Sequence, residues 1–86
     1  MYKIHNNGKL NVDLFFADLS LAKQEVEKRL AQRDKERREK NYALDYIAIK
    51  TEWKQVKNKY RLYTYNKIDI ENNYLPFCYE TIIKII

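Results

Sequence analysis

Val12-Asp13-Leu14-Phe15-Phe16-Ala17-Asp18-Leu19-Ser20-Leu21-Ala22-Lys23 changes its hydrophobic period part-way along. Up to Phe16, the apolar residues Leu10, Val12, Leu14 and Phe16 recur every second position, the signature of a strand with one buried face. From Leu19 the spacing lengthens. Leu19, Ala22, Val26 and Leu30 fall three and four apart, one narrow stripe of an α-helix. Asp18 stands at the change, where a carboxylate can accept orphan N–H groups of a first helical turn. The stretch therefore predicts a strand that hands over to a helix at Asp18.

Working outward towards the N-terminus, Tyr2 to His5 reads as a short strand. Asn6-Asn7-Gly8 then suits a tight hairpin, because these residues tolerate positive φ. Towards the C-terminus the apolar stripe stops after Ala31. Residues 32–41 carry no apolar side chain and repeat opposite charges four apart (Asp34 with Arg38, Lys35 with Glu39, Glu36 with Lys40). Such pairs support a solvated helix by about 0.3–0.5 kcal/mol each, so a charged helical extension is expected. Strand character returns from Tyr42 to Trp53, with Tyr46 to Ile49 as its most buried part. Lys54 to Lys59 reads as a turn and Tyr60 to Ile70 as a further strand. Tyr74 to Tyr79 is an apolar arm whose Pro76 excludes a central strand position. The β-branched end, Glu80 to Ile86, favours strand over helix.

The order is β-β-α-β-β with a C-terminal arm or strand. Its simplest burial solution is α+β, one antiparallel sheet packed on one helix. The 86 residues fit a single domain, 1–86. At 45% apolar and 34% charged residues the composition is globular rather than disordered. One cysteine allows no internal disulfide and no cysteine metal cluster, which points to an intracellular, cytoplasmic setting. No apolar run approaches the roughly 20 residues of a membrane span, so no membrane partner is expected.

The stretch quoted above, followed by Val26, Leu30 and Tyr42 to Ile49, resembles the small ββαβ proteins encoded by phages and other mobile elements. There a strand ending in Phe meets a capping residue and a helix with Ala in its first turns. The resemblance implies an accessory factor, and some such proteins inhibit host enzymes or defence complexes by binding them. It would place this chain in a host cytoplasm.

Net charge is +5, and it is concentrated. Residues 54–67 hold five Lys/Arg and no acid, which equals the net charge of the whole chain. Alternation puts Arg61, Tyr63, Tyr65 and Lys67 on one strand face. Trp53 and Lys54 enter from the neighbouring strand, and Lys57 and Lys59 sit at the turn. These eight residues form the candidate binding surface. Lysine and arginine can hold phosphates while tyrosines stack bases, or the same cations can meet an acidic protein. Tyrosines also suit a pleated strand, and lysines on a hairpin discourage edge pairing.

Catalytic machinery is not expected. His5 reads as a surface or edge-strand histidine with neither Ser20 nor Cys78 brought to it. One His and one Cys do not make a zinc site, and Gly8 alone makes no phosphate loop. Cys78 reads as a small buried hydrophobe. No cofactor or metal is implied. The expected function is a non-catalytic interaction protein that binds a host protein or protein–nucleic-acid complex. Direct binding of RNA or single-stranded DNA through the hairpin is the alternative. Self-association through the apolar arm is a third reading.

Overall fold

The computed structural model describes residues 1–5 and 14–85, with the backbone alone at 14 and 41–43. Its elements are β1 (Tyr2–His5), β2 (Leu14–Phe16), α1 (Leu19–Glu39), a 3-10 segment (Asn41–Tyr46), β3 (Lys50–Val56), β4 (Lys59–Tyr65), α2 (Lys67–Asn72) and β5 (Phe77–Lys84). The five strands form one antiparallel sheet in the order β2-β1-β5-β4-β3, with α1 on one face, as expected for this α+β class. The Asn6-Asn7-Gly8 turn and the Leu10-to-Asp13 part of the second strand lie outside the described residues.

The handover at Asp18 is where the period placed it. Asp18 is the N-cap residue with extended backbone angles, yet its carboxylate makes no capping bond. Ala22, Val26 and Leu30 are buried against Ile4, Leu62 and Ile82, and these six apolar side chains form the core among the described residues. Half-buried Tyr2, Phe16, Leu19, Trp53 and Tyr60 close its margins.

The stripe does not end at Leu30. The next position four residues on is Asp34, which is buried as well. Its Oδ2 accepts the backbone N–H of Ala48 at 3.3 Å, and its Oδ1 accepts from the Arg33 guanidinium at 3.1 Å. One turn later, Arg37 Nη1 donates to the Tyr46 carbonyl at 2.7 Å. The final turns of α1 therefore fasten the returning chain. Asp34 serves as a buried acceptor here, not as the exposed partner of Arg38. A carboxylate is tolerated in this position because its charge and both oxygens are satisfied.

Three expected boundaries are corrected. Tyr42 to Tyr46 is a 3-10 turn, not strand, and the expected burial of Tyr46 to Ile49 holds only in part: Tyr46 is 50% exposed and Ile49 62%, while Ile47 and Ala48 are half-buried and Ala48 packs against the core. Asp34 and Arg37 hold this segment by its backbone, which leaves Tyr46 and Ile49 outside while Ala48 reaches the core margin. The turn expected over Lys54 to Lys59 shrinks to Lys57-Asn58, with Lys57 at φ 56°. The strand expected to reach Ile70 stops at Tyr65. There Asn66 Oδ1 accepts the Asp69 N–H at 2.8 Å and Asp69 Oδ2 accepts the Asn66 N–H at 3.0 Å, a reciprocal box that starts α2.

The largest revision concerns the C-terminal segment. Phe77 to Lys84 is the middle strand of the sheet, hydrogen-bonded to β1 on one side and β4 on the other. Pro76 lies one residue before it, where it removes no ladder bond. Ile82, fully buried, pairs with Ile4 and with Tyr60. The register to β4 slips at Leu62/Tyr63, leaving Tyr79 as an extra residue. This bulge turns both Tyr79 and Glu80 towards α1. The Glu80 carboxylate, 3% exposed as a residue, takes the Arg29 guanidinium at 3.3 Å.

Candidate functional site

Side chains of β4 alternate strictly. Tyr60, Leu62 and Thr64 point to the helix side, and Leu62 and Thr64 are buried there. Arg61, Tyr63 and Tyr65 therefore stand on the opposite face. The α1 helix lies against the Leu62 face, and α2 packs on the 3-10 segment instead. Among the described residues this leaves the second face of the sheet open. Cross-strand register fixes its rows. His5, Thr81, Arg61 and Lys54 form one row across β1, β5, β4 and β3. Lys3, Ile83, Lys59 and Val56 form the next. Cys78, Tyr63 and Glu52 form a third, and Tyr65 with Lys50 a fourth.

Among the described residues, this face presents Lys3, Lys50, Lys54, Lys59 and Arg61 against the single carboxylate of Glu52. From β1 to β3 is three strand spacings, about 14 Å. At physiological salt, where screening acts over roughly 8 Å, cations on neighbouring strands repel one another while those at the two ends of the span are largely screened. Lys54 is paired directly opposite Arg61. Like charges opposed across a ladder oppose folding by up to about 1 kcal/mol, so this face is not arranged for stability.

The tyrosines moderate the repulsion. Lys54 Nζ lies over the Tyr63 ring at 5.4 Å, and Lys50 Nζ over the Tyr65 ring at 5.0 Å. Each such contact is worth about 0.5–1 kcal/mol at an exposed site. Tyr65 donates its hydroxyl proton to Glu52 Oε2 at 3.3 Å. The rings thus hold the ammonium groups above the sheet, and the ammonium groups occupy the ring faces.

Of the eight residues expected to form the surface, Lys54, Lys59, Arg61, Tyr63 and Tyr65 share the open face. Lys57 is at the tip of the hairpin, exposed. Two depart. Trp53 is paired with Leu62 and lies on the helix side. Its indole N–H donates to Glu27 Oε1 at 2.9 Å, and the Lys23 ammonium sits 5.3 Å from its ring centre. Lys67 is the first residue of α2, with its ammonium 3.9 Å from Glu71 and 4.0 Å from Asp45. Sequence reasoning also missed Lys3, His5 and Lys50. Lys50 follows from the Lys50-Glu52-Lys54 alternation. Lys3 and His5 join the face only because β5 inserts between β1 and β4.

Two other places hold ionisable groups. A groove of about 460 Å³ runs between α1 and the β5 bulge, lined by Glu25, Lys28, Arg29, Arg33, Tyr79 and Glu80. Its charges are already engaged with one another: Arg29 bridges Glu25 and Glu80, and Arg33 lies over the Tyr79 ring at 5.0 Å. Burial pushes the Tyr79 hydroxyl above its ordinary pKa, and the neighbouring Glu80 charge adds to the effect. Cys78 is half-buried on the open face, its Sγ 3.7 Å from Thr81 Oγ1, so polar atoms surround a thiol expected among apolar ones. No cluster of three metal-ligating side chains occurs among the described residues, and no described helix is long and apolar enough to cross a membrane. No protein-family model, curated protein or solved structure matches this chain, so the functional reading rests on the chemistry of the open face.

Proposed function

We propose that this protein is a non-catalytic interaction factor that docks its open sheet face onto an acidic surface of a larger protein. The supporting observation is the opposition of Lys54 to Arg61 within a face that, among the described residues, carries five cations and one carboxylate. Such an arrangement opposes folding, the Tyr63 and Tyr65 rings offset it in part, and an anionic partner supplies the remaining compensation. In the setting implied by the resemblance to phage-encoded accessory proteins, the partner is a host protein or a protein–nucleic-acid complex, and covering a site on it is the inhibitory act.

The cation-capped rings favour a protein partner over stacked bases. Lys50 and Lys54 occupy the faces of Tyr65 and Tyr63 that a base would need. Direct binding of RNA or single-stranded DNA is the second reading, supported by the interleaving of cations with Tyr63 and Tyr65 on a flat face.

The test compares wild type with a Lys54→Glu/Lys59→Glu/Arg61→Glu variant in capture from nuclease-treated host lysate, alongside titration of a labelled single-stranded oligonucleotide. A stoichiometric protein captured by wild type and lost with the variant is the expected result. Oligonucleotide binding that falls steeply with salt, without protein capture, selects the second reading. Equal capture by both proteins would sink the proposal.

A further inference from the structure

β3 ends the sheet, and its outer edge has no neighbouring strand among the described residues. It is seven residues long, with neither proline nor bulge. Native edges are usually blunted by prolines, bulges or charged side chains, above all lysine, and here the blunting rests on Lys50 and Lys54 alone. The sequence of this one, Lys50-Thr51-Glu52-Trp53-Lys54-Gln55-Val56, has opposite charges placed symmetrically about its midpoint.

We infer that β3 pairs with β3 of a second copy of this chain, antiparallel and centred on Trp53, joining the two sheets into one. In this register Glu52 of each copy lies opposite Lys54 of the other, so the twofold axis creates two opposite-charge cross-strand pairs. Lys50 falls opposite Val56 rather than another lysine. Trp53 is the midpoint of the strand, so this register engages all seven residues.

Backbone directions agree with the same centre. The two-residue turn Lys57-Asn58 makes Val56 and Lys59 the closing pair of the hairpin. Alternation then directs the N–H and C=O groups of Lys50, Glu52, Lys54 and Val56 towards β4, and those of Thr51, Trp53 and Gln55 outward. Pairing about Trp53 sets Thr51 against Gln55 and Trp53 against itself, so outward groups meet outward groups.

The helix side leaves room for the second copy. α1 packs towards β1, β2 and β5, and an open groove of about 420 Å³ separates it from β3 beside Leu30, Thr51 and Leu62. Half-buried Trp53 lies on this side, so the two indoles approach one another across the axis. The open faces of the two copies become one continuous surface, twice as wide. The inference stands on the edge alone and does not depend on what that surface binds.

Sedimentation velocity of the full chain, with circular dichroism to confirm folding, tests this. Wild type is expected to show a monomer–dimer equilibrium. Glu52→Lys or Lys54→Glu alone sets like charges opposite one another twice, and roughly tenfold weaker association is expected. The double exchange restores wild-type association at unchanged net charge, and the two single variants mixed together form a heterodimer. Gln55→Pro removes one outward N–H without touching the β4 ladder, so it abolishes the dimer while the chain still melts cooperatively. A wild-type chain that sediments as a monomer at every concentration overturns the inference. So does a dimer indifferent to Gln55→Pro and to both single exchanges. A dimer lost only with Leu75→Asp places self-association at the exposed loop before β5 and equally overturns it.

Discussion

Replacing Ile82 by alanine probes the C-terminal strand, whose central place in the sheet the sequence did not show. Ile82 has no exposed surface and lies in the middle of the middle strand, beneath α1. The change removes three carbons, a transfer loss of about 2.4 kcal/mol at 0.8 per carbon. The space they leave adds a cavity contribution of roughly 1–2 kcal/mol, because neighbours on two strands and a helix can relax only in part. A loss of about 3–4 kcal/mol is expected. For 86 residues total stability is about 4–13 kcal/mol, so the loss is about a quarter of the upper figure and nearly all of the lower. Urea unfolding followed by fluorescence is a direct assay, because Trp53 is the single tryptophan and borders the core. Leu75→Ala is the control: Leu75 is 90% exposed, and a change within about 0.5 kcal/mol is expected. An Ile82→Ala cost below about 1 kcal/mol, or a Leu75→Ala cost equal to it, would refute the placement of β5.

Asp34→Ala leaves the Ala48 N–H and the Arg33 guanidinium without their acceptor, and a loss of about 1–3 kcal/mol is expected in the same unfolding assay. Asp34→Asn keeps one acceptor oxygen and should recover part of it. Glu27→Gln weakens the bond from the Trp53 indole; a shifted emission maximum with less than about 1 kcal/mol lost is the expected outcome. Because the Tyr79 pKa is raised in the folded state, the folded chain holds that proton at pH values where the unfolded chain has released it. Stability is therefore unaffected by this group below the ordinary tyrosine pKa of 10.0 and falls as pH rises through it. Tyr79→Phe should remove that alkaline decline, measured as thermal midpoint against pH.

The strand-to-helix boundary was legible because the spacing of apolar residues changes at Asp18, a local property of neighbouring positions. The α1 stripe was legible for the same reason, but its last member is Asp34, and no periodicity of apolar residues can report a buried carboxylate. The Asn66-to-Asp69 box was present in the sequence and hidden by the strand-like residues before it. The open face was half visible. Alternation within β4 placed Arg61, Tyr63 and Tyr65 together. Trp53 was assigned to that face because its strand was ended too early, which obscured its pairing with Leu62. Which strands are neighbours is a non-local fact. Ile82-Ile83-Lys84 reads the same in a centre strand as in an edge strand, and so the contribution of Lys3 and His5 stayed out of reach.

The central position of β5 also governs how the chain reaches this state. Tyr2 pairs with Lys84 and Ile4 with Ile82, so the middle of the sheet joins segments nearly the whole sequence apart. The β3–β4 ladder and α1 are local and can form within microseconds, whereas closing a loop of that length is entropically slow. Until β5 inserts, β1 and β4 each carry an open edge and the core has no floor under α1. Folding is therefore expected to be rate-limited by a single late insertion. Destabilising the β3–β4 hairpin, already formed at that step, should slow folding, while weakening β5 contacts completed only after it should mainly speed unfolding.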